Sequence, residues 1–393
     1  MTSLATPHGK PLGERAATVG VFLANGFGIG AWAVEVPRIK ESLSLSDASL
    51  GIALFAFALG AIVAMPLAGQ LAPRFGSGRA TALLGAAFVV ALPLPAFAPG
   101  MATLCIVLFI LGAANGALDV SMNGHASTIE TQWHAPIMSS FHAAWSAGGL
   151  LGAATGAMLQ KSGVGVIGGL AVPDIFIAVL IVSAAALALR ELGPGAGATS
   201  TGLAWPTAGV MKLAMLAFLC MLVEGAVADW SAVYLRAALN QEASVAAVGY
   251  SAFAFSMAAC RIVGDVSVRR FGASQVVALG GLIAVAGLAL VLSLPTVLTA
   301  CVGFAMVGVG FANIVPVIFS AAGRSTVTPA TGVSMAATAG YAGFLVGPPL
   351  IGLGAGLLGL RLALCVLVVA ALIVCLVGGK AVRNATRQSA TRW

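Results

Sequence analysis

The sequence predicts an all-α membrane protein of twelve transmembrane helices, arranged as two pseudo-symmetric six-helix bundles. Three observations carry that prediction. The 393 residues are 60% hydrophobic and only 8% charged, with a mean hydropathy of +1.05, whereas an ordinary soluble domain is about 25% charged. The apolar residues fall into twelve blocks, each near the length of about 20 residues that a crossing requires. The two halves of the chain also repeat.

The blocks lie near 17–36, 48–71, 79–99, 101–125, 138–160, 168–190, 210–235, 245–266, 274–294, 297–321, 330–353 and 357–379. Met1 to Arg15 is polar and weakly basic and no small-residue cleavage site follows it, so the first block is expected to remain a permanent helix. The 50 glycines suit close helix approach in a bilayer. All six cysteines fall inside apolar blocks without a CxxC pair, as small buried side chains would.

A net charge of +7 could serve nucleic acid, but the basic residues stand mostly singly between apolar blocks. With the N-terminus inside, one side collects Lys10, Arg15, Arg74, Arg79, Arg190, Lys212, Arg261, Arg269, Arg270, Arg324, Lys380, Arg383, Arg387 and Arg392. The other side receives Arg38, Lys40, Lys161, Arg236 and Arg361. That is 14 against 5, so both termini are expected in the cytoplasm, in the inner membrane of a bacterium.

The stretch Glu191 to Gly209 is rich in Gly, Pro, Ser and Thr and reads as a cytoplasmic linker. It divides the chain into a first bundle (1–190), the linker (191–209) and a second bundle with a basic tail (210–393). Adding 196 to Phe57 and Gly76 lands on Phe253 and Gly272, and adding 198 to Trp32 and Gly51 lands on Trp230 and Gly249. Parallel repeats of this kind are a transporter architecture.

The loop after span 2 reads GQLAPRFGSGR (Gly69 to Arg79), and the loop after span 8 reads GDVSVRRFG (Gly264 to Gly272). These resemble the two copies of the cytoplasmic loop signature of the major facilitator superfamily. The first copy has Pro73 where the acidic residue is expected, and the second keeps an acid as Asp265. The resemblance implies gating by Asp265 with Arg269, and by Arg74 and Arg79 in the first copy. The pattern N-x-x-x-D-x-x-x-N of Asn115, Asp119 and Asn123 is similar to the polar face of helix 4 in the fucose permease branch. With MSSFHAAWSAGG (Met138 to Gly149), EGAVADWSAVYL (Glu224 to Leu235) and GYAGFLVGPPLIG (Gly340 to Gly352), the chain resembles a bacterial subgroup that includes a proposed rhizopine transporter. In the permease branch the helix 4 carboxylate contacts sugar and takes part in proton coupling. The permease's helix 1 carboxylate has no counterpart, because Ala33 stands in its place before Pro37.

Helices 1, 4, 7 and 10 line the cavity in that superfamily, and the polar residues gather there. Span 1 carries Asn25, Trp32 and Glu35, span 4 carries Asn115, Asp119 and Asn123, span 7 carries Glu224, Asp229 and Trp230, and span 10 carries Asn313. Spans 3, 6, 9 and 12 are nearly free of polar side chains in their middles. Ionisable residues at membrane depth are costly and mark solute or proton paths. With a helical rise of about 1.5 Å per residue, Asp119 is expected in the cytoplasmic third of span 4. Asp119, Glu224, Asp229 and His142 are the candidate proton groups. Asn25, Trp32, Asn115, Asn123, Trp230 and Asn313 are the candidate solute contacts. Each has a plainer alternative: the amides as interhelical clamps, the tryptophans as an interfacial belt, His142 as a packing residue. Arg261 is expected to pair with Asp265 at i, i+4, the simpler reading, with a part in the cytoplasmic gate as the alternative. Glu130 and His134 are expected to hold a cytoplasm-facing turn, and Gly347–Pro349 to bend span 11.

No Walker loop, strand-led glycine motif or selectivity-filter repeat is legible. The expected function is secondary active transport, not enzymatic: proton-coupled symport of a small polar solute, sugar- or cyclitol-like, by alternating access. The alternatives are proton-coupled efflux of amphipathic compounds and a solute receptor that does not transport. The expected partners are solute, protons and lipid, with no cofactor, metal or nucleic acid, and the expected state is a monomer.

Overall fold

Backbone polar groups in a bilayer must be satisfied within the chain, which leaves helices for a sequence this apolar. The computed structural model describes residues 12–187 and 207–390. Lys10, Arg190, Arg392 and the linker as far as residue 206 lie outside the described residues.

The first half runs α1 (Leu12–Ser42), α2 (Asp47–Ala68), the short α3 (Leu71–Phe75), α4 (Ser77–Ala91), α5 (Met101–Trp133), α6 (Met138–Lys161) and α7 (Val166–Leu187). The second half runs α8 (Ala208–Ala237), α9 (Ala243–Ile262), α10 (Gly264–Phe271), α11 (Ala273–Ser293), α12 (Val297–Phe311), α13 (Ile314–Arg324) and α14 (Pro329–Leu358). It closes with α15 (Leu360–Ala363), α16 (Cys365–Ile373), a π turn and α17 (Gly379–Ala390). Among the described residues ten helices are long and apolar enough to cross a membrane, or eleven with α9 and α10 counted as one span bent by 61°. The remaining segment, α6, has 24 residues and is more polar, carrying His142, Trp145 and Ser146.

Breaks in two of the expected spans bear on the site. Span 8 breaks at Val263, between α9 and α10. Span 10 breaks between Phe311 and Ile314. Pro316 supplies the reason for the second break: it has no N–H to donate to the carbonyl four residues earlier, that of Ala312. Span 11, by contrast, runs as one helix through Pro348 and Pro349.

The repeat is written in the backbone. Six of the seven positive φ angles among the described residues fall in pairs at the offset that links Gly76 to Gly272: Ser44 (51°) with Asn240 (52°), Gly76 (86°) with Gly272 (81°), and Gly163 (78°) with Gly359 (83°), while His134 (55°) stands alone. The N-caps of α2 and α9, Ser46 and Glu242, keep the same spacing and nearly the same angles. The offset of 198 is a correction: in the structural register Trp32 and Trp230 are not equivalents.

Each half builds its own apolar centre, around Phe22, Phe88, Leu118 and Phe141 in the first and around Tyr234, Phe253, Phe304 and Phe311 in the second. Small residues bring helices together. A Cβ on Gly26 of α1 would lie 2.0 Å from the Trp145 carbonyl oxygen of α6, and one on Gly343 of α14 would lie 2.2 Å from that of Phe218 in α8. One end of the molecule carries the α3–α4, α5–α6, α10–α11 and α13–α14 turns with most of the exposed arginines; we call it the basic end. Bonds joining the two halves cluster there. Ser334 donates to the Met65 carbonyl at 2.7 Å, the Ser140 N–H to Asp265 at 3.2 Å, and Arg269 to the Pro136 carbonyl at 3.3 Å.

Candidate functional site

Asn115, Asp119 and Asn123 stack at i, i+4 and i+8 along one face of α5. Because α5 runs unbroken from Met101 to Trp133, Asp119 sits near the helix middle. It lies 18 residues from the helix start at Met101, about 27 Å along the axis as expected, and the helix continues about two turns beyond the apolar block.

Asn123 donates to Asp119 twice, to the backbone carbonyl at 2.9 Å and to the carboxylate at 3.2 Å. Its own oxygen meets His142 Nε2 at 3.1 Å. His142 is buried against Phe22 of the first half and Phe319 of the second. Above this chain Asn25 donates to Asn115 at 2.9 Å, and Asn25 in turn accepts the Trp145 indole N–H at 2.8 Å. Tyr341 of α14 lies beside Asn115 and Asp119.

The second half contributes one ion pair. Arg261 of α9 reaches Glu224 of α8 at 3.6 Å, donates to the Ser146 hydroxyl of α6 at 2.8 Å, and donates to the Ala312 carbonyl at 3.3 Å. The Ala312 carbonyl is the one that Pro316 leaves free. The expected Arg261–Asp265 pair does not form, because the 61° bend at Val263 turns Asp265 toward Ser140 instead.

Several expected site residues stand elsewhere. Trp32 is buried within the first-half core. The Trp230 indole N–H is held by the Pro348 carbonyl at 3.2 Å. Asn313 donates to the Cys260 carbonyl at 3.1 Å and packs on Gly264, joining the two helix breaks. Asp229 is exposed on α8, beyond Glu224, and Arg74 and Arg79 are exposed on α3 and α4. Glu35 is fully buried and paired with Arg38 at 3.0 Å, inside the first half. Asp174, half-buried in α7, departs from the expectation of an apolar span 6.

Glu130 holds the α5–α6 turn, as expected, but not from the expected place. It is buried within α5, where a solvent-facing turn was expected. One carboxylate oxygen accepts the N–H groups of Ile137 and Met138 at the start of α6. The other meets Ser320 and, at 2.9 Å, Arg324, both on α13 of the second half. A cavity large enough for a water molecule lies between Glu130, Asp265 and Arg324. Arg324 carried a sequence signal only as a lone cation at the end of an apolar block, which the charge bias already explained. Tyr341 carried one only as a member of the motif Gly340 to Gly352.

A family profile described as Major Facilitator Superfamily matches residues 18–338. An MFS-type transporter of Yersinia pestis, itself uncharacterised, is 36% identical over 355 residues, covering 90% of this chain and 91% of that protein. The membrane protein MosC of Rhizobium meliloti is 35% identical over 385 residues, 95% of this chain and 91% of its own. Among solved structures, the fucose:proton symporter FucP of E. coli superposes with a TM-score of 0.72 at 15% identity, over 94% of this chain and 98% of that one. At that identity the likeness concerns the fold.

Proposed function

Since the chain belongs to the Major Facilitator Superfamily of membrane transporters, we propose that it moves a small polar solute, sugar- or cyclitol-like, together with protons. The observation that carries this reading is the setting of Asp119. It stands at the middle of α5 with an amide partner, and among the described residues no cation pairs with it. A carboxyl group so placed can hydrogen-bond a hydroxyl-bearing solute whether or not it holds a proton. Asn25, Asn115, Asn123, Trp145 and Tyr341 supply further donors and acceptors around it. The hydrogen bond through Asn123 orients His142, whose position on α6 lies nearer the basic end, and we assign it the role of passing the proton on.

The charge bias assigns the basic end to the cytoplasm. The bonds that join the halves at that end then describe a carrier closed toward the cytoplasm and ready to receive solute from outside. Rocking of one half against the other would break those bonds and expose the site to the opposite side.

The test is reconstitution in vesicles, recording external pH while sugars, cyclitols, organic acids and cationic drugs are added singly. Alkalinisation outside on adding a sugar or cyclitol is expected. Acidification with drugs alone would replace symport by antiport and efflux. Tight binding of a solute with no counterflow would make the protein a receptor.

A further inference from the structure

The site holds two carboxylates and one guanidinium, and they do not share their charges evenly. Glu224 has Arg261 at 3.6 Å, while Asp119 has no cation beside it among the described residues and is bonded to the Asn123 amide. Other ionisable groups near the pair are His142 beside Arg261, and Tyr250, Cys220 and Asp229 on the side of Glu224. Tyr341 stands nearest Asp119.

Where each partner rides matters more than the distances. Glu224 and Arg261 both belong to the second half, on adjacent α8 and α9, and so do the Ala312 carbonyl and the break that frees it. Asp119, Asn123 and His142 all belong to the first half. When the halves move, the ion pair travels whole, and so does the amide chain. The bonds that cross between the halves here, Arg261 to the Ser146 hydroxyl and Tyr341 to Asn115, each end on a neutral group of the first half.

An unpaired buried carboxylate is far costlier to enclose than a paired one. Glu224 can therefore pass through an occluded state ionised, whereas Asp119 must first take a proton. Resting on the symport reading above, we propose that Arg261 is a positioning residue that neutralises Glu224 throughout the cycle, leaving Asp119 as the single proton carrier and fixing the ratio at one proton per solute. The charge of the three-residue set then alternates between −1 with Asp119 ionised and 0 with Asp119 protonated. Glu224, a candidate proton group by sequence, becomes part of a permanent pair.

The test needs no solute. Infrared titration of the purified protein in detergent follows the protonated-carboxyl band as pH is lowered. Asp119→Asn should remove one component, and Glu224→Gln in the otherwise unaltered chain should remove none. Arg261→Gln should add a component, from a Glu224 that has lost its partner, and the double variant Arg261→Gln/Glu224→Gln should lose it again. A purely structural role for Arg261 would not produce that appearance and disappearance. Loss of a component in Glu224→Gln alone would overturn the proposal, and that variant decides the matter even if Arg261→Gln fails to fold. Vesicle measurements with myo-inositol as probe separate the two readings. Infrared results as expected, with no coupled movement of any solute, would sink the symport reading and leave the charge assignment standing. Coupled movement at two protons per solute would do the reverse.

Discussion

Trp145 of α6 and Tyr341 of α14 occupy the same position of the two repeats, and both address one amide pair. Trp145 donates to Asn25, Tyr341 lies beside Asn115, and the two asparagines are bonded to each other at 2.9 Å. Trp145→Phe removes the indole donor while keeping an aromatic ring in place. It should raise the solute concentration for half-maximal uptake by up to about tenfold, the worth of one neutral hydrogen bond. Thermal stability in detergent should change little. An unaltered concentration dependence would place the amide pair outside the solute path.

Asp119→Asn should abolish proton-driven accumulation while preserving solute counterflow, since the amide keeps the shape and the bond to Asn123. The comparison to make is uptake under an imposed proton gradient against exchange with solute on both sides. Retained gradient-driven uptake would refute the assignment of the proton to this residue.

Glu130 and Arg324 latch the basic end at 2.9 Å. Glu130→Gln and Arg324→Gln should each shift the protein toward the state open at that end, by about tenfold or more if the loss reaches about 1.4 kcal/mol. A cysteine introduced at Ser139, which is buried behind the latch, should then react faster with maleimide than the same cysteine in the latched protein. Exchanging the two charges should restore the closed state only in part, because Glu130 also accepts the Ile137 and Met138 N–H groups.

Gly76 and Gly272 adopt φ of 86° and 81° with ψ of 146° and 147° at matching corners, a region closed to side chains. Gly76→Ala and Gly272→Ala should each cost about 1–3 kcal/mol, read as a fall in unfolding temperature. The same substitution at Gly20 of α1, where a Cβ meets nothing within 4 Å, serves as the control and should be neutral or stabilising.

The spans, the repeat and the polar face of α5 were legible because each rests on local pattern: an apolar run, a fixed offset, a spacing of four. What the sequence hid was partnership across a break. Arg261 and Asp265 look like neighbours on one helix until Val263 bends it. The acceptor that Arg261 finds at Ala312 exists because of Pro316, on another element. Glu130 looked like a turn residue because its helix outlasts the apolar block. Trp32 and Trp230 looked paired only in a register that the backbone does not use.

The corners recur at one fixed offset, and so do the surface cations Lys40 with Arg236 and Arg74 with Arg270, yet the charges of the site and the latch do not. In the structural register Asp119 faces Val315, Glu224 faces Gly28, Arg261 faces Met65, Asp265 faces Gly69, Glu130 faces Thr326 and Arg324 faces Thr128. The halves are thus mechanical twins and chemical strangers. A saturation screen of this protein should reveal the difference directly. Positions that merely shape the chain should score as doublets, one in each half with similar tolerance. Positions that handle solute or proton should score as singlets, each with a permissive twin across the molecule, apart from the twins Trp145 and Tyr341, which both address the amide pair. Dividing the map of sensitive sites by its own shadow would leave the working residues behind.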